Sequence, residues 1–280
     1  MTERVLGRRI VRRQTVTSTM DEAAALAAAG EPEGTVVVAE FQTDGRGRAG
    51  RSWVAPPGTA LLFSVVLRPA VPPASLGVLG LLAGVAVAEG IEATTGLGCR
   101  LKWPNDIWLA GKKVAGILTV SRFAEEHRPL VVLGVGINVN LPAPHVPDGG
   151  TSLLAETGET FDRTRVLDRV LVCLDDAYAR FRAGNGMVDL SGWRSRAAMV
   201  GETVSVVGTG RTLTGVLRDV ADDGALLLES TAGETFRIHS GELVRGPRLA
   251  EPTVASEGVI ETGDRRQAVP NERSAPVKEP

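Results

Sequence analysis

The sequence predicts an α+β protein with a large domain of helices and strands over residues 1–199, a small β-barrel over residues 200–249 and a tail over residues 250–280. Three observations carry that division. Through Met199, β-branched runs are interspersed with amphipathic helical stretches. From Val200 the pattern changes to short, evenly spaced β-like runs joined by glycine turns, as in a small barrel. From Glu251 aromatics vanish and Pro252, Pro270, Pro276 and Pro280 stand among mixed charges, a composition that reads as disordered.

The elements follow in order. Residues 18–30 read as a helix, with Ser18 or Thr19 as cap, Asp21 and Glu22 in the first turn and Gly30 at its end. Thr35 to Phe41 reads as a strand, followed by a loop rich in glycine and arginine, and Leu61 to Leu67 as a second strand. Pro72 and Pro73 open a helix running to about Ala93, the most apolar of the chain. Arg100 to Trp103 and Ile107 to Leu109 form a hairpin about a turn at Pro104 to Asp106. Lys112 to Ser121 and Leu130 to Val139 are further strands, and Leu141 to Gly150, with three prolines, is an irregular connection. Arg163 to Phe181 is a long amphipathic helix and Leu190 to Met199 a shorter one. In the barrel, strands are expected at Thr203 to Val207, Thr212 to Asp219, Ala225 to Glu229 and Thr235 to Ile238.

Composition narrows the function classes. The chain has 280 residues, of which 43% are hydrophobic and 23% charged, enough for a sizeable core. Its net charge of -2 is unlike that of a protein living on a polyanion and favours a discrete anionic ligand. Cys99 and Cys173 lie far apart in apolar surroundings, the pattern of two reduced thiols and not of a disulfide framework or zinc site. The N-terminus lacks the apolar core of a signal peptide, and the apolar run Leu76 to Ala88 is broken by glycines and too short to span a bilayer. A cytoplasmic protein without membrane attachment is expected.

Chemistry concentrates in three segments. In the first, Gly45, Gly47 and Gly50 separate Arg46, Arg48 and Arg51, with Trp53 next to them. Glycine suits a backbone that approaches something closely, and three guanidiniums want anionic oxygen. A phosphate cradle, a solvated basic turn and a nucleic-acid contact all satisfy that composition. In the second, Lys102-Trp103-Pro104-Asn105-Asp106 precedes Lys112-Lys113-Val114-Ala115-Gly116-Ile117-Leu118. Each residue alone has an ordinary role in a turn or core, but Ala115-Gly116 in a β-branched strand marks close packing. In the third, Gly134-Val135-Gly136-Ile137-Asn138 puts two glycines in an apolar strand and a polar side chain at its end, where it needs a partner.

Taken together, and in this order and spacing, these segments resemble biotin protein ligases over about residues 12–249. The resemblance implies a catalytic domain with a mixed sheet backed by helices and a small SH3-like barrel. It also implies a two-step reaction, in which biotin and ATP give biotinyl-5′-adenylate and pyrophosphate, and the adenylate then acylates one lysine of a biotin carboxyl carrier domain. By the same resemblance Lys113 lies between the biotin carboxylate and the α-phosphate, with Arg48 beside that phosphate. Arg51, Trp53, Asn105 and Asn138 match nucleotide-side positions, and Asp106 is a candidate for holding Mg²⁺. Ser18, Thr19, Gln42, Gly45, Arg46, Gly116 and Gly134 match biotin-contacting positions. Where the family usually has Ser-Thr-Asn, this chain has Ser18-Thr19-Met20, so an amide contact is lost there and biotin binding is expected to rest on the others.

A monomer or weak homodimer is expected. The stretch before Ser18 is too short for the DNA-binding module of some family members, so no DNA partner is expected, and Arg8, Arg9, Arg12 and Arg13 read as a solvated edge. Two rival classes remain on the sequence alone. A lipoate or octanoate ligase of the same fold would lack the glycine-arginine loop in this form. A nucleic-acid-binding protein would need a basic face and interleaved aromatics.

Overall fold

The computed structural model describes residues 4–124, 127–208 and 210–246. The tail expected after Glu251 lies outside them. The first part of the chain runs β1 (Ile10–Val16), α1 (Thr19–Ala28), β2 (Val36–Gln42), β3 (Ala60–Leu67), α2 (Leu79–Thr95), β4 (Cys99–Lys102), β5 (Asp106–Leu109), β6 (Lys112–Ala124) and β7 (His127–Asn138). Then follow α3 (Leu153–Thr157), α4 (Arg163–Ala183), α5 (Ser191–Arg194), β8 (Thr203–Val207), β9 (Thr212–Val220), β10 (Leu226–Glu229), β11 (Thr235–Ile238) and β12 (Glu242–Arg245).

β1 to β7 form one sheet in the order β1-β2-β3-β7-β6-β5-β4. Only β1 and β2 pair in parallel, so the sheet is mixed. β8 to β12 form an antiparallel sheet in the order β11-β10-β9-β8-β12. The α+β class and the small C-terminal β-structure are those the sequence predicts. β1, α3 and β12 are additions to that reading. β1 escapes a pattern search because Ile10, Val11 and Val16 flank a polar middle, Arg12 to Thr15, that faces solvent on an edge strand. The arginines read as a solvated edge sit there, Arg9 paired with Glu31 and Arg13 with Glu22.

Pairing register sorts the large sheet into two faces. One carries Val36, Val38, Phe63, Val65, Val135, Ile137, Ala115 and Ile117, all in the main core. α2 and α4 cover it: α4 buries Val166, Leu167, Val170, Leu171, Leu174, Ala177, Tyr178 and Phe181 at helical spacing. The other face carries Val37, Ser64, Val66, Val132, Gly134 and Gly136 by register, and α1 packs on part of it through Met20, Ala23 and Ala27. α1 is only ten residues long, too short to cover the whole face: its Met20 reaches Gly134, and Gly116 and Gly136 are left to other side chains.

α2 begins later than expected, because Pro73–Val78 is a 3-10 turn, and it ends at Gly96 in the left-handed conformation. The run Pro73–Thr95 is longer than the apolar stretch seen in sequence and is, by length and composition alone, long and apolar enough to cross a membrane. Nine of the α2 side chains or glycines are buried in the core instead. The last expected helix shortens to α5, since the chain at Ala197 and Ala198 turns to pair with Leu101. The second sheet is fastened to the first by Trp103, whose Nε1 donates to Gly224 O at 3.1 Å, and by Arg194, which meets Asp219 and Asp222.

Burial pushes the Cys99 thiol up to about 12, with Glu92 adding to the effect, so it is an inert core thiol. The tightest helix crossing lies at Gly90, where an added Cβ would meet Val170 Cγ2 at 2.6 Å and Val170 Cα at 2.8 Å. Gly90→Ala gains about 1 kcal/mol of helix propensity but overpacks against backbone, at a cost of about 1–3 kcal/mol. A lower urea midpoint is expected; an unchanged or raised midpoint would show that α2 and α4 are not in this contact.

Candidate active site

Three glycines make the site. Gly116 pairs with Gly136, and Gly134 pairs with Leu118 on one side and Ser64 on the other. Paired residues and their i±2 neighbours share a face, so all three glycines lie on the face that α1 covers only in part. Side chains from elsewhere lie directly on them. A Cβ on Gly136 would fall 2.6 Å from Trp53 Cε2, one on Gly116 3.0 Å from Trp53 Cζ3, and one on Gly134 2.8 Å from Met20 Sδ. Each glycine is required by what rests on it.

A β-bulge aims the central cation. Asp106 pairs with Gly116 and so shares the site's face. Lys113 lies three residues before Gly116 and would face the opposite side of a regular strand. The register shifts between Ile107 and Trp108, so that Lys113 pairs with Trp108 and comes round to the side of Asp106. Its Nζ stands 2.6 Å from Asp106 Oδ1 and 5.7 Å from the centre of the Trp53 ring. The same strand end is held from outside: Lys113 N donates to Gly149 O, and Thr151 N to Lys113 O. The connection after β7 is thus tied down at Lys113 despite its prolines.

At the other end of the glycine row stand short polar side chains. Ser18 caps α1, and its Oγ accepts from Met20 N at 3.3 Å. Thr19 N donates to Gln42 Oε1 at 2.8 Å, and Thr19 Oγ1 lies 3.0 Å from Gln42 Oε1 and 2.9 Å from Ser64 Oγ. Ser18, Thr19 and Ser64 are buried, so the network is a preformed set of donors and acceptors in a nearly dry corner. Sequence reasoning misses Ser64, since a serine in an apolar strand gives no signal until register places it opposite Gly134.

The glycine-arginine loop closes over this floor. Gly45 must be glycine, because a Cβ would lie 2.3 Å from Trp53 O. Gly45 O accepts from Trp53 N at 2.8 Å, and Arg46 and Ser52 form a β-bridge, so the loop is a closed hairpin. Arg46 is anchored to α1 by Asp21 at 2.8 Å. Arg51 reaches Glu242 of the second sheet at 2.9 Å. Arg48 is half-buried, and among the described residues its guanidinium makes two long contacts of 3.4 Å, to Asn105 Oδ1 and Gly241 O, so it keeps most of its donors for another partner. Burial lowers the pKa of Arg48 and also of Lys102, with Asp106 opposing both. Cations that burial disfavours are stabilised by a bound anion.

Two cavities meet at these residues. The smaller, of about 130 Å³, is lined by Ser18, Thr19, Met20, Gln42, Arg46, Arg48, Lys113 and the glycine row. The larger, of about 390 Å³, is lined by Lys102, Asp106, Trp108, Asn138, Glu242 and residues 147–150. Arg51, Ser52, Trp53 and Lys113 belong to both. Trp53 Nε1 is buried and has no hydrogen-bond partner among the described residues; such a donor calls for an acceptor on a ligand. Of the residues singled out from sequence, Asn105 and Asn138 also have structural duties. Asn105 Nδ2 donates to Ile117 O at 2.9 Å and Asn138 Nδ2 to Thr151 O at 2.9 Å. Trp108, Gly241 and Glu242 join the site only through the fold, Glu242 from β12 and Gly241 from the position before it.

The arrangement joins a polar corner at Thr19 and Gln42, through Lys113, to a second cavity that carries further charged side chains. Comparisons with known proteins show which family the chain resembles. Residues 10–138 match the biotin/lipoate A/B protein ligase family, and residues 200–246 the biotin protein ligase C terminal domain. The bifunctional ligase/repressor BirA of Bacillus spizizenii is 37% identical over 246 residues, 86% of this chain and 75% of its own. The biotin–[acetyl-CoA-carboxylase] ligase of Mycobacterium tuberculosis is 36% identical over 236 residues, 82% of this chain and 86% of its own. A biotin protein ligase from Aquifex aeolicus, solved in complex with biotin and ATP, superposes with a TM-score of 0.74 at 32% identity, covering 85% of this chain and all of that one. Similarity that spans both sheets, at identities above 30% across most of the relatives' length, places the chain in the biotin protein ligase family.

Proposed function

We propose that this protein joins biotin to ATP as biotinyl-5′-adenylate and passes the biotinyl group to one lysine of a biotin carboxyl carrier domain of a biotin-dependent carboxylase. The single observation that carries this reading is the seam at Lys113, where a small cavity with a polar head shares one wall with a larger cavity lined by Arg51 and Lys102 alongside Asp106, Asp148 and Glu242. The reading places the protein in the cytoplasm as a monomer or weak homodimer.

In the first step a biotin carboxylate oxygen attacks the α-phosphorus, the bond to the bridging oxygen breaks, and pyrophosphate leaves with the electron pair. Two anions must meet, so the site needs fixed positive charge. Lys113 lies at the seam for that purpose, held by Asp106 until substrate oxygens arrive. Arg48 and Arg51 supply further charge from the loop. The ureido head of biotin finds donors and acceptors in the Ser18, Thr19, Gln42 and Ser64 cluster. In the second step the acceptor amine attacks the acyl carbon, the acyl–phosphate bond breaks, and AMP leaves.

Asp106 fits a site for Mg²⁺. Among the described residues no group of three acidic, histidine or cysteine side chains gathers to hold a metal, but Mg²⁺ is commonly held by one carboxylate together with substrate phosphates. When bound, the ion would neutralise phosphate charge.

Lys113→Ala is expected to reduce biotin-dependent pyrophosphate exchange by at least about 100-fold, the size of effect seen when a donor to developing charge is removed. Exchange at the wild-type rate would show that Lys113 is not at the reacting phosphate. Arg48→Gly removes charge and stiffness from the loop over the intermediate; early release of adenylate and labelling of non-acceptor lysines on bystander protein are expected. Retention of adenylate as in wild type, measured by filter binding after rapid quench, would contradict that role. Intact mass of a carrier domain incubated with enzyme, ATP, Mg²⁺ and either biotin or lipoate tests the overall reading: one biotinyl addition is expected and no lipoyl addition.

A further inference from the structure

One wall of the smaller cavity is a thioether. Met20 follows the Ser18–Thr19 pair and turns its side chain onto the sheet, where it is 7% exposed. It packs with Ala23, Ala27, Val37, Val66 and Val132 and also lines the cavity. Its Sδ and Cγ lie 2.8 and 2.9 Å from the position of a Gly134 Cβ, so Met20 occupies space that any residue other than glycine would contest.

Register locates this wall. Gly134 pairs with Ser64, and Ser64 bonds Thr19, so Met20 stands at the polar-head end. Trp53 and Lys113 stand over the Gly116–Gly136 row, at the end where acid and phosphate meet. The cavity is therefore bracketed by an indole and an ammonium at one end and a thioether at the other. At about 130 Å³ it is tight. Packed between Gly134 and the apolar side chains of α1, β2, β3 and β7, the thioether has little room to yield, so it sets how large a ring the pocket admits.

Resting on the biotin reading above, we propose that Met20 is a specificity-determining residue: its thioether, seated on Gly134, is the wall that fixes the depth of the acyl pocket and excludes acids bulkier than biotin at the ring end. No hydrogen bond to the substrate is required of it. Its role is shape, and shape of this kind discriminates by about 10–200-fold per methylene-sized change.

The test uses the full chain with biotin and with biotin sulfone, which is larger at the ring, read by pyrophosphate exchange and by calorimetric titration. Met20→Ala is expected to raise the KM for biotin about 10-fold with kcat changed less than about 3-fold, and to lower the preference for biotin over the sulfone at least about 10-fold. Gly134→Ala is expected to weaken biotin binding by driving Met20 from its seat. The double variant Gly134→Ala, Met20→Ala is then expected to bind biotin better than Gly134→Ala alone, a rescue that a merely unstable variant would not show. Thermal midpoints check that each variant folds. If wild type activates biotin but Met20→Ala leaves both KM and preference unchanged, or the double variant shows no rescue, Met20 is not the wall. If wild type fails to activate biotin, the underlying reading falls and this proposal with it.

Discussion

Gly116, Gly134 and Gly136 share the face of the sheet on which β6, β7 and β3 pair, and the space above them exists only because none has a side chain. Much of the site follows from that constraint. Trp53 can lie flat against the sheet, which draws the glycine-arginine loop down over the pocket. Met20 can reach across from α1, which closes the opposite end. Hydrogen-bonded strands hold the floor rigid, and the opposite face of the same strands is locked into the main core. A site of this kind has a stiff base and a hairpin cover pinned to its surroundings by Asp21 and Glu242, a geometry suited to positioning two substrates.

Charge is distributed with the same logic. Lys113 is paired with Asp106, Arg46 with Asp21 and Arg51 with Glu242, while the Arg48 guanidinium has, among the described residues, two long contacts. Pairs that are partly exposed contribute little to stability, about 0–1 kcal/mol each, so they are exchangeable for substrate oxygens at small cost. Glu242 comes from the second sheet, which makes the C-terminal structure part of the active-site wall and not an appendage. Trp103 anchors that sheet from within the same motif that supplies Asn105 and Asp106.

Much of this was legible in the sequence because the motifs carry it. Glycines at 45, 116 and 134 announce close approach, and each proves to have a side chain or carbonyl within 3.0 Å of an added Cβ. The helices and most strands follow from periodicity and caps. The rest depends on facts that no local pattern holds. The bulge that swings Lys113 onto the site's face is a property of pairing between β5 and β6. Ser64 becomes polar lining only through its register opposite Gly134. Glu242 reaches Arg51 across a sequence separation of 191 residues. β1 hides because an edge strand has only one flank to bury. Met20, marked in sequence as the loss of an amide, proves to be a packed wall, because a buried thioether fills the row that Gly134 leaves empty.

The central claim is that two cavities meet at Lys113 so that one ligand can span both. Calorimetric titration with biotin, with ATP, and with a non-hydrolysable biotinyl-5′-adenylate analogue tests it most directly. Joining two bound groups without strain raises affinity by about 10²–10⁴, so the analogue should bind at least about 100-fold more tightly than biotin, and biotin and ATP should not compete. An analogue that binds no more tightly than biotin, or ATP that displaces biotin, would contradict the account.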